Sequence, residues 1–124
     1  MNKIPDTIAT PAISGAIAAV VAPMVYPGVS YMDVPYLGPT SISVGYGAIT
    51  AVSALGSQLI GNYVPPIAQN TSYANIAKNA VGPTITGALG WGLAKYGNPQ
   101  VGYESALITG GSHAAARYVS QMIL

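Results

Sequence analysis

Residues Pro11–Ile17 read PAISGAI, and residues Pro83–Leu89 read PTITGAL. Two near-identical phrases 72 residues apart in a chain of 124 predict a repeated structural unit. The match runs without a gap from Pro11–Tyr31 onto Pro83–Tyr103. Its identities are Pro11/Pro83, Ile13/Ile85, Gly15/Gly87, Ala16/Ala88, Ala22/Ala94, Pro27/Pro99, Val29/Val101 and Tyr31/Tyr103. Each phrase opens on a proline, whose missing N–H and fixed φ suit the first turn of a helix. Each run ends at turn formers, YPG at Tyr26–Gly28 and YGNP at Tyr96–Pro99.

A second echo follows each run. VGY occurs at Val44–Tyr46 and Val101–Tyr103, GS at Gly56–Ser57 and Gly111–Ser112, and YV at Tyr63–Val64 and Tyr118–Val119, with the spacing shifting by two inside the match. The pattern predicts an all-α chain of two tandem helical hairpins forming one domain. The units are residues 1–67 and 68–124, with helices at about 9–26, 43–63, 76–96 and 102–123. The connector 27–42 reads as a loop.

Charge decides the solvent. Only 6% of residues are Asp, Glu, Lys or Arg, against about 25% in an ordinary soluble domain. So few charges do not coat a small soluble surface. The runs Thr7–Met32 and Val34–Ala77 carry none at all. Each exceeds the ~20 residues that cross a bilayer core as a helix. A third run, Asn79–Ala94, reaches span length if Lys78 and Lys95 snorkel from its ends. The expectation is a small integral membrane protein with four spans and both termini on one side. That side holds Lys3, Lys78 and Arg117 with Asp6, and the other holds Lys95 with Asp33 and Glu104. Positive charge favours the cytoplasmic-equivalent side for the termini.

Small residues recur every fourth position. Helix one has Ser14, Ala18 and Ala22. Helix two has Ser53, Ser57 and Gly61. Helix three has Gly82, Thr86, Gly90 and Ala94. Such stripes let helix backbones approach closely, the main source of association where lipid is as apolar as leucine. Helix four has Ala106, Gly110 and Ala114, and it also carries a polar stripe, Ser105, Thr109, His113, Arg117 and Gln121. This amphipathic face predicts contact with a partner protein, a watery interior or the headgroup zone.

Ser43–Gly47, SVGYG, resembles the filter signature of potassium channels. That resemblance covers five residues and implies filter positions at Val44, Gly45, Tyr46 and Gly47, with Ser43 in place of Thr. The surroundings depart from the family: Gly38 and Pro39 stand where a pore helix belongs, and Ala48 replaces the acidic residue after the filter.

Other chemistry is sparse. The chain has no cysteine and one histidine, so cysteine ligation and a multi-histidine metal site are excluded. Asp6, Asp33 and Glu104 show no spacing that suggests a triad. A net charge of +1 with no basic patch gives no footprint for nucleic acid. The reading is therefore non-enzymatic, with no catalytic residues, cofactor, metal, nucleic acid or small-molecule substrate. Its partners are a lipid bilayer and other protein subunits. The expected role is a structural membrane protein of a large assembly, best fitted as a minor virion protein linking an internal membrane to an icosahedral capsid. The alternatives are a pore, either a channel or a holin-like protein, and an accessory hydrophobic subunit of a respiratory or photosynthetic complex.

Overall fold

The computed structural model describes residues 6–61 and 74–123, with side chains placed outside 6–7, 60–61, 74–81, 121 and 123. Four helices form its body: α1 (Asp6–Val25), α2 (Ile42–Gly61), α3 (Ala74–Gly97) and α4 (Glu104–Ile123). Where described, their ends fall within three residues of the expected ones. The prolines sit differently. Pro11 and Pro83 lie inside α1 and α3, not in their first turns. Both helices begin upstream of their proline, so each ring removes a backbone donor from the ladder; membrane helices tolerate this better than soluble ones.

Helices adjacent in sequence pack side by side. α1 lies along α2 and α4, α3 also lies along α2 and α4, and α2 meets α4 across the middle. Glycine sets the closest approaches. A Cβ on Gly15 would sit 2.9 Å from the Gly47 carbonyl oxygen and 3.4 Å from Ala51 Cβ. A Cβ on Gly87 would sit 2.9 Å from the Ala106 carbonyl oxygen and 3.5 Å from Gly110 Cα. Gly15 and Gly87 are partners in the 72-residue repeat, so the two crossings have the same construction. This geometry equates Gly47 with Ala106 and Ala51 with Gly110, an offset of 59 residues. The VGY, GS and YV echoes, at smaller offsets, therefore do not mark equivalent positions.

Neighbouring helices run antiparallel. Gly15 faces Gly47 and Ala51, while Gly47 faces Gly15 and Ala19 further along α1. At one end of the bundle, Tyr26 just past α1 stacks on Tyr46 near the start of α2, with ring centroids 6.0 Å apart. Tyr46 also bonds Ser105 in the first turn of α4. The result is an up-down-up-down bundle.

The connector expected to be a loop contains a β-hairpin. Strand β1 (Tyr31–Val34) pairs antiparallel with β2 (Gly38–Ser41), Tyr31 opposite Ser41 and Val34 opposite Gly38. Met32 and Val34 turn inward, whereas Tyr31 and Asp33 turn out. Alternate residues of a strand face opposite sides, so this short segment closes the bundle end with one face and leaves the other exposed. The turn places Tyr36 and Gly38 at φ 71° and 80°. Gly38 takes that conformation without strain, and Tyr36 takes it at some cost. Gly45 admits the Met32 side chain, which would collide with any Cβ there.

Among the described residues, one helix is long and apolar enough to cross a membrane: Ile8–Val25, with mean hydropathy 1.9 and 39% of it buried. The expectation of four such spans rested on missing charge, and missing charge is not the same as apolarity. Glycine, serine and threonine dilute α2, α3 and α4.

Candidate functional site

The bundle interior is lined with hydroxyls. On α2, Tyr46, Thr50, Ser53 and Ser57 follow one another at spacings of four, three and four. That heptad-like spacing keeps them on one face, and all four are buried. On α4, Ser105, Thr109 and Ser112 repeat the spacing and are buried as well. Since α2 and α4 meet across the centre, the two stripes line the core.

These groups bond in two clusters. At the hairpin end, Tyr46 Oη and Ser105 Oγ share a hydrogen bond. Tyr26 Oη lies 3.5 Å from both Ser105 Oγ and Glu104 Oε2. Deeper in the bundle, Thr86 Oγ1 donates to Ser57 Oγ at 2.9 Å and bonds His113 Nδ1. Ser57 donates in turn to the Ala54 carbonyl at 2.9 Å. Thr86 thus joins α2, α3 and α4 at one level. His113 is 1% exposed, and its ring lies beside Gly82, where an added Cβ would meet it at 3.4 Å, an ordinary contact distance. Between the clusters, Thr109 Oγ1 donates to the Ser105 carbonyl at 2.9 Å. Thr50 Oγ1 and Ser53 Oγ, also between them, are buried with no protein partner. Most buried polar atoms have a partner, so such a pair needs a cause.

A third polar contact fastens the β-hairpin. Asn98, buried just beyond α3, accepts from the Asp33 N–H at 3.1 Å through Oδ1. Its Nδ2 donates to the Asp33 and Ala94 carbonyls, each at 3.0 Å. The amide therefore grips the Asp33 backbone much as a neighbouring strand does. Gly97 must lack a side chain here, because a Cβ would strike the Asp33 carbonyl oxygen.

Of the expected packing residues, Ser14, Ala18, Ala22, Ser53, Ser57, Thr86 and Ala94 are fully enclosed. Gly90 is buried against Thr109, and Gly82 is half-buried against His113. The burial of Gly61 lies outside the described residues. In the polar stripe, Ser105, Thr109 and His113 point into the bundle rather than out to a partner, and Arg117 is half-buried. The Gln121 side chain lies outside the described residues. Ser43–Gly47 falls in the first turns of α2. Helical carbonyls point along the axis to the next turn, so the segment does not have the geometry of a filter. Lys95 lies over the Trp91 ring, 5.1 Å from its centroid, while Glu104 faces Tyr26.

The sequence reading missed Tyr26, Tyr46 and Asn98 as interior polar residues. Asn98 had a signal: an Asn-Pro pair directly after a helix favours turn formation through the side-chain amide. No cluster of three or more metal-ligating side chains occurs among the described residues. Beside these hydroxyls the interior holds an apolar cluster that includes Met32, Val34, Ile42, Ile49 and Ile108, and the outer surface carries large aliphatic side chains. Val20 (66%), Leu55 (46%) and Leu59 (66%) are exposed, together with Ile8, Met24, Val52, Leu107 and Met122. No protein-family model, curated protein or solved structure matches the chain.

Proposed function

We propose that the protein is a non-enzymatic structural component that lies in a lipid bilayer and is held there by protein neighbours. One observation carries this: large aliphatic side chains such as Val20, Leu59 and Leu107 lie on the outside, while the inside pairs a small apolar cluster around Ile42, Ile49 and Ile108 with a row of buried hydroxyls. Water would penalise that outer surface, since each exposed large aliphatic side chain forgoes about 1.5–3 kcal/mol of burial. Lipid removes the penalty. In a bilayer, the helices associate through glycine crossings and interhelical hydrogen bonds, and Gly15–Gly47, Gly87–Gly110 and Ser57–Thr86–His113 supply both.

In this reading the chain is two copies of one helical hairpin, with all four helices in the membrane. The β-hairpin end, bearing exposed Tyr31, Tyr36, Tyr96 and Tyr103, reaches the headgroup level, where tyrosine is favoured. Asp33, Lys95 and Glu104 are at that end, and both termini are on the opposite, cytoplasmic-equivalent side. The setting that suits so small and charge-poor a structural protein is the internal membrane of an icosahedral virion, under the capsid.

The test is alkaline carbonate extraction followed by flotation on a density gradient. The protein should rise with lipid; release into the aqueous fraction would instead indicate burial among protein subunits. A pore is the second reading, favoured by the hydroxyl-lined interior. It predicts leakage of a small dye or ions from liposomes containing the folded protein, whereas the structural reading predicts tight vesicles.

A further inference from the structure

The buried hydroxyls of Thr50 and Ser53 lie between the two hydrogen-bonded clusters. Tyr46 of the hairpin-end cluster precedes Thr50 by one turn, and Ser57 of the deeper cluster follows Ser53 by one turn. Their counterparts on α4 at the 59-residue offset are Thr109 and Ser112, so the level they occupy carries hydroxyls on both central helices. Thr109 meets its hydrogen-bond demand within its own helix; Thr50 Oγ1 and Ser53 Oγ do not meet theirs with any protein atom.

We propose that this level of the bundle is a water-binding site. Water bound to Thr50 and Ser53 joins the Glu104–Tyr26–Ser105–Tyr46 cluster to the Ser57–Thr86–His113 cluster. The interior then holds one hydrogen-bonded chain from the hairpin end to His113. Buried water commonly makes about three hydrogen bonds to groups that otherwise lack partners, and two neighbouring hydroxyls, each able to donate and accept, provide such anchors. The proposal goes beyond the structural role and does not depend on what covers the exterior.

His113 is the only histidine, so labelling histidine with nitrogen-15 places a probe at one end of the chain without further assignment. The full-length protein would be studied folded in detergent and again in lipid vesicles, measuring magnetisation transfer from water protons to the imidazole ring. The expected result is ready transfer in the parent and several-fold slower transfer in the Thr50→Val/Ser53→Ala double variant. Thr50→Val alone preserves shape and supplies a second readout. If water bonds this hydroxyl, the variant melts at a lower temperature. If the hydroxyl is dry and unpaired, its removal raises the melting temperature. Should the double variant not fold, Thr50→Val carries both measurements. Absent transfer in the parent, unchanged transfer in the variants, or a raised melting temperature for Thr50→Val would each overturn the site. The detergent sample keeps this result separate from membrane residence: failure to float with lipid sinks the proposed function and leaves the water measurement intact.

Discussion

The two halves of the bundle agree inside and disagree outside. Ser14/Thr86, Gly15/Gly87, Ala18/Gly90 and Ala22/Ala94 are buried at both members of each pair, 72 residues apart. So are Ile49/Ile108, Thr50/Thr109 and Ser53/Ser112, 59 apart. On the outer surface, Val20 of α1 corresponds to Gly92 of α3, while Val52 and Leu55 of α2 correspond to Gly111 and Ala114 of α4. All six are exposed. The interior pairs obey one set of packing demands, set by crossings that admit no side chain. The exterior is free of those demands. At these three pairs it differs in bulk, aliphatic on α1 and α2 and small on α3 and α4, although Leu107 and Met122 keep part of the α4 surface apolar.

The largest effects should come from the crossings. Gly15→Val and Gly87→Val each place a branched side chain where a Cβ alone would lie 2.9 Å from a carbonyl oxygen. Each should destabilise the bundle by about 3 kcal/mol, the upper part of the usual overpacking range, as read by thermal or denaturant unfolding. Equal losses would sharpen the equivalence of the halves; a tolerated valine at either position would break it. Next comes Thr86→Val, which strips the link between Ser57 and His113. A loss of about 2 kcal/mol is expected from the buried groups left unpaired. Its repeat partner, Ser14, bonds only within its own helix, to the Thr10 carbonyl at 2.6 Å, so Ser14→Ala should cost less, about 1 kcal/mol.

Asn98→Ala tests the place where one half holds an insertion in the other. Hydrogen exchange at Asp33 and along β1 should rise while α2 and α4 remain protected, for a global cost of about 1 kcal/mol. Uniform loss of protection would show instead that the β-hairpin is part of the bundle's cooperative unit. The smallest effects on folding belong to the outer surface. Leu55→Ser and Ala114→Ser should each change stability by about 0.5 kcal/mol or less. Yet Leu55→Ser should weaken retention in lipid more than Ala114→Ser, as measured by flotation. Equal retention would mean that the two outer faces meet the same surroundings.

Much of this architecture was legible in the sequence because prolines and glycines punctuate it. The four helices followed from residue spacing. The β-hairpin escaped because Pro35 and Pro39 argue against a central strand, although Tyr31–Val34 alternates outward and inward as a strand should. Pro11 and Pro83 looked like first-turn residues because the missing N–H and fixed φ of proline cost a helix least there, but the helical residues upstream of each carry the helix back past it. The polar stripe of α4 was visible, but its direction was not. In water such a face turns out; against a bundle that presents Tyr46, Ser57 and Thr86, it turns in. Periodicity reveals that a helix has two faces, and only its neighbours determine which one is hidden.

The central claim is that the aliphatic exterior meets lipid. The chain has no native cysteine, so single cysteines introduced at Val20, Leu55 and Leu59, with Tyr36 at the hairpin tip as reference, can carry spin labels in reconstituted vesicles. Collision with oxygen, which concentrates in hydrocarbon, would be compared with collision with a water-soluble nickel chelate. The account predicts oxygen-dominated relaxation at Val20, Leu55 and Leu59 and greater nickel access at Tyr36. Nickel-dominated relaxation at the three aliphatic positions, in protein that is folded and bound to the vesicles, would contradict it.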